Sequence, residues 1–446
     1  MLFSNENRKF LKGLYILALP IVAQDLVGAF VNMLDTFMVS SLGEEAVAAV
    51  GLSNQVFFLF ALFMFGANSG AAALMGQFWG KNDVKSIRKT MGICWGLSLF
   101  VATVFATLAF FIPETIMGIY SNDPAVIQLG VQYLRIVCFS YFLSAISMVI
   151  NFAMRSTGQT RLPMITTTCA LVCSAALNYV FIFILGMGVE GAAISTVIAR
   201  SIEVILQFIF FRKLRLPIVG PISDYLAIDR TYLKHFFRIV SPVILNEILW
   251  SVGVSLYNVA YRECGTAAQS AVQIAVSIQN IFIVFGRSIG SACGIMVANA
   301  LGASEFEEAI RNARKSLLVA VFTSATMGAL LWITTPYIVN FFDISPAVNN
   351  YIFLLLRVIS VVIVIQTINF ICIVGIFRSG GDNTYCLIID TGCVWLVGLP
   401  LAFIGAYYLG FPIYWVFLMS RMEEVAKCIF NLVRVSGSKW VKNLVE

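Results

Sequence analysis

Pro20-Ile-Val-Ala-Gln-Asp25 and Pro242-Val-Ile-Leu-Asn-Glu247 share one pattern: a proline inside an apolar run, followed five residues later by an acid. They stand at an offset of 222 (242 − 20), and further matches keep nearly that spacing. Gly43 pairs with Gly265 and Arg135 with Arg357 at 222. Gly80-Lys-Asn-Asp pairs with Gly302-Ala-Ser-Glu at 222, each leading into a basic helix start. Arg155-Ser-Thr-Gly-Gln-Thr pairs with Arg378-Ser-Gly-Gly-Asp-Asn at 223, and Arg200-Ser-Ile-Glu203 with Arg421-Met-Glu-Glu424 at 221. An ordered series at nearly constant offset is an internal repeat, so the chain is read as two homologous halves.

The solvent of those halves follows from composition. Of 446 residues, 60% are hydrophobic and 12% charged, with a mean hydropathy of +0.90. A soluble domain is about 25% charged, and a soluble fold could not hide this much apolar surface, so the bilayer is the solvent for most of it. The net charge of +6 is small for the length and gives no nucleic-acid signal. The ten cysteines sit mostly in apolar runs without CxxC pairs and read as reduced packing residues. The only histidine, His235, falls at an expected membrane interface, and no Cys/His cluster points to a metal. The polar start with Arg8, Lys9 and Lys12 runs into a first helix read as retained, not as a removed signal peptide.

Apolar runs of about 20 residues or more place spans at 12–40, 46–76, 90–112, 125–154, 162–185, 189–212, 236–262, 267–300, 316–340, 347–377, 385–408 and 411–434. Basic residues alternate between loops. One set carries Lys81, Lys85, Arg88 and Lys89; Arg155 and Arg161; Arg212 through Lys234; Arg311, Arg314 and Lys315; Arg378; and Arg434 to Lys442. The opposite set, including Gly43-Glu-Glu, Pro113-Glu, Gly186-Met-Gly-Val-Glu, Phe342-Asp-Ile-Ser-Pro and Gly410-Phe-Pro, has almost none, with Arg262 the main exception. The positive-inside rule then puts both termini in the cytoplasm, which requires an even number of spans and agrees with twelve. Six spans per repeat makes the halves parallel, an arrangement of transporters with the substrate path between halves. The expected organisation is an amino-terminal lobe at 1–212, a cytoplasmic linker at 213–235 with Pro217 and Pro221, and a carboxy-terminal lobe at 236–446.

A charge at the bilayer centre costs about 2.5–3.5 kcal/mol on insertion scales, so intramembrane acids need partners or a purpose. Asp35 lies near the outer end of the first helix. Asn178 and Thr196 lie about 10–12 Å deep at 1.5 Å per residue, and Ser174 one turn below Asn178 on the same face. One carboxylate with amide and hydroxyl oxygens suits a hard cation, or a proton that those groups orient; the alternative is an Asp capped by its neighbours. Asp25 and Glu247 sit mid-membrane at repeat-related positions, as cation or substrate contacts or as an interhelical lock. Arg135, Arg357 and the Arg200–Glu203 and Arg421–Glu424 pairs read as structural, since residues three apart on a helix can pair. Phe30, Phe37, Trp250 and Tyr257 are candidate cavity-lining aromatics. Gly66, Gly70 and Gly76, and Gly286, Gly290 and Gly294, suit close helix packing. Arg287 and Asp390 have no equivalent in the other half and receive no role.

Several motifs in order resemble the multidrug and toxic compound extrusion (MATE) transporters over nearly the whole chain. They are Pro20 with Asp35 and Ser-Leu-Gly-Glu-Glu-Ala, Gly80, Asn178 through Gly186-Met-Gly-Val-Glu-Gly191 to Thr196, Pro242-Val-Ile-Leu-Asn-Glu247, and Arg378-Ser-Gly-Gly-Asp. The resemblance implies an all-α, V-shaped bundle of twelve transmembrane helices in two lobes. It implies secondary antiport, exporting organic, often cationic compounds in exchange for protons or sodium, without enzyme activity or cofactor. On it, Asp35 looks like the amino-lobe coupling acid and Glu247 like the carboxy-lobe acid. Asn178 stands where many members have Asp and Ser174 where many have Asn, while Thr196 fits as it is. With one carboxylate left, a sodium ion at Asp35, Asn178 and Thr196 is less favoured than a proton on Asp35. Small organic substrates, the bilayer of a cell membrane and a monomeric state are the expected partners and setting. The alternative is a flippase of lipid-linked precursors from the same superfamily.

Overall fold

A computed structural model describes residues 5–214, 216–341 and 346–445. Residue 215 of the linker and residues 342–345 of the loop read as non-basic lie outside the described residues. The first helices are α1 (Asn5–Ser40), α2 (Glu44–Gly80), α3 (Val84–Phe111), the short α4 (Pro113–Tyr120), α5 (Pro124–Val137), α6 (Phe139–Ser156), α7 (Arg161–Tyr179) and α8 (Gly188–Leu214). A five-residue α9 (Ile222–Leu226) lies in the linker. Then come α10 (Arg230–Glu263), α11 (Thr266–Gly302), α12 (Phe306–Phe341), α13 (Pro346–Phe370), α14 (Asn383–Cys393), α15 (Leu399–Phe403), α16 (Ile413–Ser420) and α17 (Met422–Ser436).

Among the described residues ten helical stretches are long and apolar enough to cross a bilayer, and α5 with α6, bent by 49°, passes the same test together as a broken eleventh. α16 and α17, joined at Arg421, occupy the place of the twelfth. The expectation of twelve spans therefore holds, with the fourth and the last broken instead of continuous. Helix ends overshoot the apolar runs. α12 starts ten residues before the expected 316, because its first turns carry Glu307, Glu308, Arg311, Arg314 and Lys315 and so escape a hydropathy reading. Asp83 starts α3 by accepting from the Ser86 amide (3.1 Å), and Asp123 starts α5 by accepting from the Ala125 amide (2.9 Å).

The repeat is visible in backbone geometry. Asn82 (φ 61°) and Ser304 (φ 62°) are the two non-glycine residues with positive φ among the described residues, and they stand 222 apart (304 − 82). Gly43 and Gly265, Gly158 and Gly381, and Gly186 and Gly410 also share positive φ, at offsets of 222, 223 and 224. The drift has a structural cause. The offset rises by one across the π-helical turn Ile371–Phe377 and by one again across Val394–Gly398. A π turn closes i→i+5, so it absorbs one extra residue without disturbing the helix beyond it. α6 is α-helical at the first of these places and α7 at the second.

Contacts divide the chain into two compact units. One comprises Ala23–Met75 and Asp83–Phe237; the other comprises the chain up to Val22, Gly76–Asn82 and the residues from Arg238 onward. The first is built around Phe60 and Tyr141, stacked at 5.2 Å between ring centroids. Its linker docks on the start of α3, where Arg88 pairs with Asp224 (2.7 Å) and donates to the carbonyls of Pro217 and Val219 (2.6 and 2.7 Å). Lys89 reaches Asp229 at 2.7 Å, and this hydrogen bond, joined by the Tyr232 amide, holds the Asp229 carboxyl below the ordinary aspartate range.

In the second unit, small residues set helix spacing. A Cβ on Gly302 would lie 1.8 Å from the Gln77 carbonyl oxygen, and one on Gly80 2.0 Å from that of Asn299, so the ends of α2 and α11 touch backbone to backbone. Gly290 likewise admits the Phe370 ring at a distance that a Cβ would cut to 2.8 Å. The chain's end packs on the same unit: Trp440 is fully buried and Leu444 N–H donates to Gln77 (2.7 Å).

Candidate functional site

The carboxy-terminal half of α1 carries Asp35 into a cavity of about 560 Å³ in the first unit. Its polar wall includes Asp35, Ser174, Asn178 and Thr196, with Tyr133 and Arg200, beside Asn32, Thr36, Asn54 and Ser140. The four residues expected to act together are thus brought together. Asn178 Nδ2 donates to Asp35 Oδ1 at 2.7 Å. Ser195 donates to Asn178 Oδ1, which leaves the Asn178 amide no free choice of orientation. Thr196 is tied to its own helix at the Ala192 carbonyl (3.0 Å), and the Tyr133 hydroxyl lies beside it. Asp35 is half-buried, whereas Asn178 and Ser174 are buried.

Local sequence explains how the neutral partners reach the acid. After Tyr179, α7 passes into a π turn, Val180–Ile184, directly beyond Asn178. Gly186 and Gly188, both left-handed, reverse the chain into α8. Gly191 lets α8 lie against that turn, since a Cβ there would stand 2.8 Å from Phe181 Cβ. Asn178 and Ser195 thereby meet across the α7–α8 contact. Among the residues lining this cavity Asp35 is the single carboxylate and Arg200 the single base, and Arg200 is engaged by Glu203 at 2.8 Å.

Ser195 and Tyr133 escaped the sequence reading. Ser195 could have been suspected from its place beside Thr196. Tyr133 comes from another helix, and no spacing rule links it to Asp35.

The other candidates lie elsewhere. Glu247 on α10 is locked to Arg378 at 2.6 Å, and both side chains are buried. Arg378, expected as a loop cation, ends the π turn of α13 and is 2% exposed. Asp25 is exposed, within Coulombic reach of Arg155, while its neighbour Gln24 is the buried partner, accepting from Arg155 (2.7 Å) and donating to Thr167 (3.1 Å). The repeat-related acids are therefore not equivalent: Asp25 is exposed and Glu247 is buried. Phe37 is 73% exposed, and Phe30 60%. Trp250 packs on the core of the second unit. Tyr257 is a core residue, not a cavity wall, and Gly398 opposite leaves room for its hydroxyl. None of Asp25, Phe37, Trp250 and Tyr257 lines the Asp35 cavity. The two arginine–glutamate pairs also diverge. Arg200–Glu203 forms, but Arg421 stacks over the Phe417 ring at 4.7 Å and Glu424 accepts from Asn369.

Comparisons with known proteins agree with this architecture. The chain is 23% identical over 434 residues to the uncharacterized transporter YisQ of Bacillus subtilis, covering 96% of this chain and 95% of the relative. It is 23% identical over 448 residues to the probable multidrug resistance protein NorM of Thermotoga maritima, covering 97% and 94%. Its fold superposes on a crystal structure of MATE in complex with MaL6 with a TM-score of 0.87 at 19% identity, over 95% of this chain and 96% of that one. The MatE family model matches twice, at residues 20–180 and 242–404, once in each repeat. The two repeats, the twelve spans and the double match together place this chain in the MatE family of membrane transporters.

Proposed function

We propose that this protein is a secondary active antiporter that exports organic, often cationic compounds across the cell membrane, driven by protons entering at Asp35. The observation that carries the reading is the site's donor set: one carboxylate, half-exposed to a cavity of about 560 Å³ and bonded to the neutral Asn178 amide. A proton needs one carboxylate, whereas a sodium ion gains affinity with each further anionic ligand. Arg200 on the same wall further disfavours a bound metal cation. Protonation removes the charge that holds the Asn178 amide, and this difference between states is what lets the ion bias the conformational equilibrium. The basic loops favour cytoplasmic termini, and the lobes at 1–212 and 236–446 joined by 213–235 are the natural moving parts of such an exchanger. The flippase alternative is not carried forward, since relatives matched end to end are named as multidrug resistance proteins.

The test is efflux of cationic dyes from proteoliposomes under separate proton and sodium gradients. A proton gradient alone should drive efflux, and Asp35→Asn should abolish it in a protein that still folds. Strict dependence on sodium, or full efflux by Asp35→Asn, would overturn the assignment.

A further inference from the structure

The repeat-related arginines Arg135 and Arg357 have different surroundings. Arg135 on α5 pairs with Glu114 at 2.7 Å. Arg357 on α13 stacks instead over the Trp332 ring of α12, 4.0 Å from its centroid, with the Phe353 ring at 5.0 Å. Where the first half reads Pro113-Glu114, the second reads Pro336-Tyr337, so a tyrosine stands in the acid's place. Arg357 Nη1 is buried without a hydrogen-bond partner, although the residue as a whole is half-exposed. The packed neighbours supply no counter-charge among the described residues. α11, α13, α16 and α12 beyond Glu308 contain no acid, and Glu424 of α17 meets α13 at Asn369, twelve residues further on.

Depth and exposure place this cation beside lipid. The span Val348–Phe377 has 30 residues, about 45 Å at 1.5 Å per residue, against a hydrocarbon core of about 30 Å. Centred in the bilayer, it overhangs by about 7 Å at each end. Arg357, nine residues from its start, then lies about 6 Å below the hydrocarbon boundary. Helical side chains lean towards the helix amino terminus, here the nearer boundary, so the guanidinium can snorkel to phosphate level. Val361, one turn deeper on the same face, is 60% exposed, and on α12 Trp332 is 47% and Ile333 65% exposed. This surface is apolar, open to acyl chains and carries one uncompensated charge. A phospholipid phosphate meets all three conditions, whereas a free phosphate would have to leave water to reach it. A lipid with net negative charge is favoured, because a choline headgroup brings a cation of its own.

We propose that Arg357, held against Trp332, binds the phosphate of an anionic phospholipid at the α12–α13 surface of the second unit. The site is independent of the Asp35 cavity and is not inherited from the repeat, since Arg135 is already taken by Glu114.

Native mass spectrometry of the full-length protein, titrated in detergent with phosphatidylglycerol or phosphatidylcholine, counts the lipids retained. The parent should hold one more phosphatidylglycerol than Arg357→Gln, whose affinity for that lipid should be at least about tenfold weaker. Arg135→Gln should bind as the parent does. Phe353→Glu supplies an internal carboxylate four residues before Arg357, and should displace the lipid with the arginine still present. It also serves as the test should Arg357→Gln not fold. Asp343→Asn, in the loop before α13, should leave binding unchanged, and millimolar inorganic phosphate should not compete. Equal retention by the parent and Arg357→Gln, or by the parent and Phe353→Glu, overturns the proposal. So does phosphatidylcholine bound as tightly as phosphatidylglycerol, tighter binding by Asp343→Asn, or displacement by inorganic phosphate, which would make this a free-anion site.

Discussion

Arg378→Met is the sharpest probe of how the second unit holds its polar interior. Arg378 and Glu247 are 2.6 Å apart, with side chains 3% and 10% exposed. Removing the guanidinium leaves a carboxylate without its counter-charge, at a cost of about 3–5 kcal/mol for a broken buried pair. Methionine keeps much of the volume, so cavity formation is a small part of that cost. The companion double variant, Glu247→Leu with Arg378→Met, removes both charges and should lie within about 1–2 kcal/mol of the parent, since a buried pair replaced by apolar groups is often neutral. Thermal unfolding in detergent, followed by loss of the monodisperse chromatographic peak, would rank the three proteins. Lowering the pH should rescue the single variant and not the double one, because a protonated Glu247 no longer needs a partner. A single variant as stable as the parent would show that the pair holds nothing. A double variant as poor as the single would show that the loss is packing and not charge.

Three other outcomes follow from the geometry. Asn178→Asp puts a second carboxylate where an amide now bonds Asp35 at 2.7 Å, and should introduce sodium-stimulated dye efflux into an otherwise proton-driven protein, read in the same proteoliposomes. Gly302→Ala drives a Cβ to 1.8 Å from the Gln77 carbonyl; the backbone must part, and about 1–3 kcal/mol of thermal stability should be lost, whereas Gly96→Ala, with open space around it, should lose none. Asp229→Asn should loosen the linker at neutral pH, raising its cleavage in limited proteolysis. Because the native carboxyl titrates below the ordinary range, its contribution persists above that range and fades as the pH falls through it, so parent and variant should converge in acid.

The repeat and the spans were legible because they depend on local quantities: run length, charge placement and a recurring offset. The Asp35 cluster was half legible. Position along the helices put Asp35, Asn178 and Thr196 towards the same ends of their spans, but Ser195 and Tyr133 enter through contacts between helices that no spacing encodes. Arg421 shows where a local rule fails. Three residues separate it from Glu424, as they separate Arg200 from Glu203, yet α16 ends at Arg421 with ψ −3°. Without a continuous helix, the two side chains no longer share a face, and the pair that forms in α8 does not form there.

Glu247 marks the boundary between the two kinds of information. Hydropathy by itself determined that this chain lives in a bilayer, and the repeat determined that its halves are built alike, because both are properties of residues in order. Which acids are paired was decided only by the tertiary structure. A buried charge is stabilised by whatever lies within about 3–4 Å of it, and for Glu247 that is a residue 131 positions away on another helix.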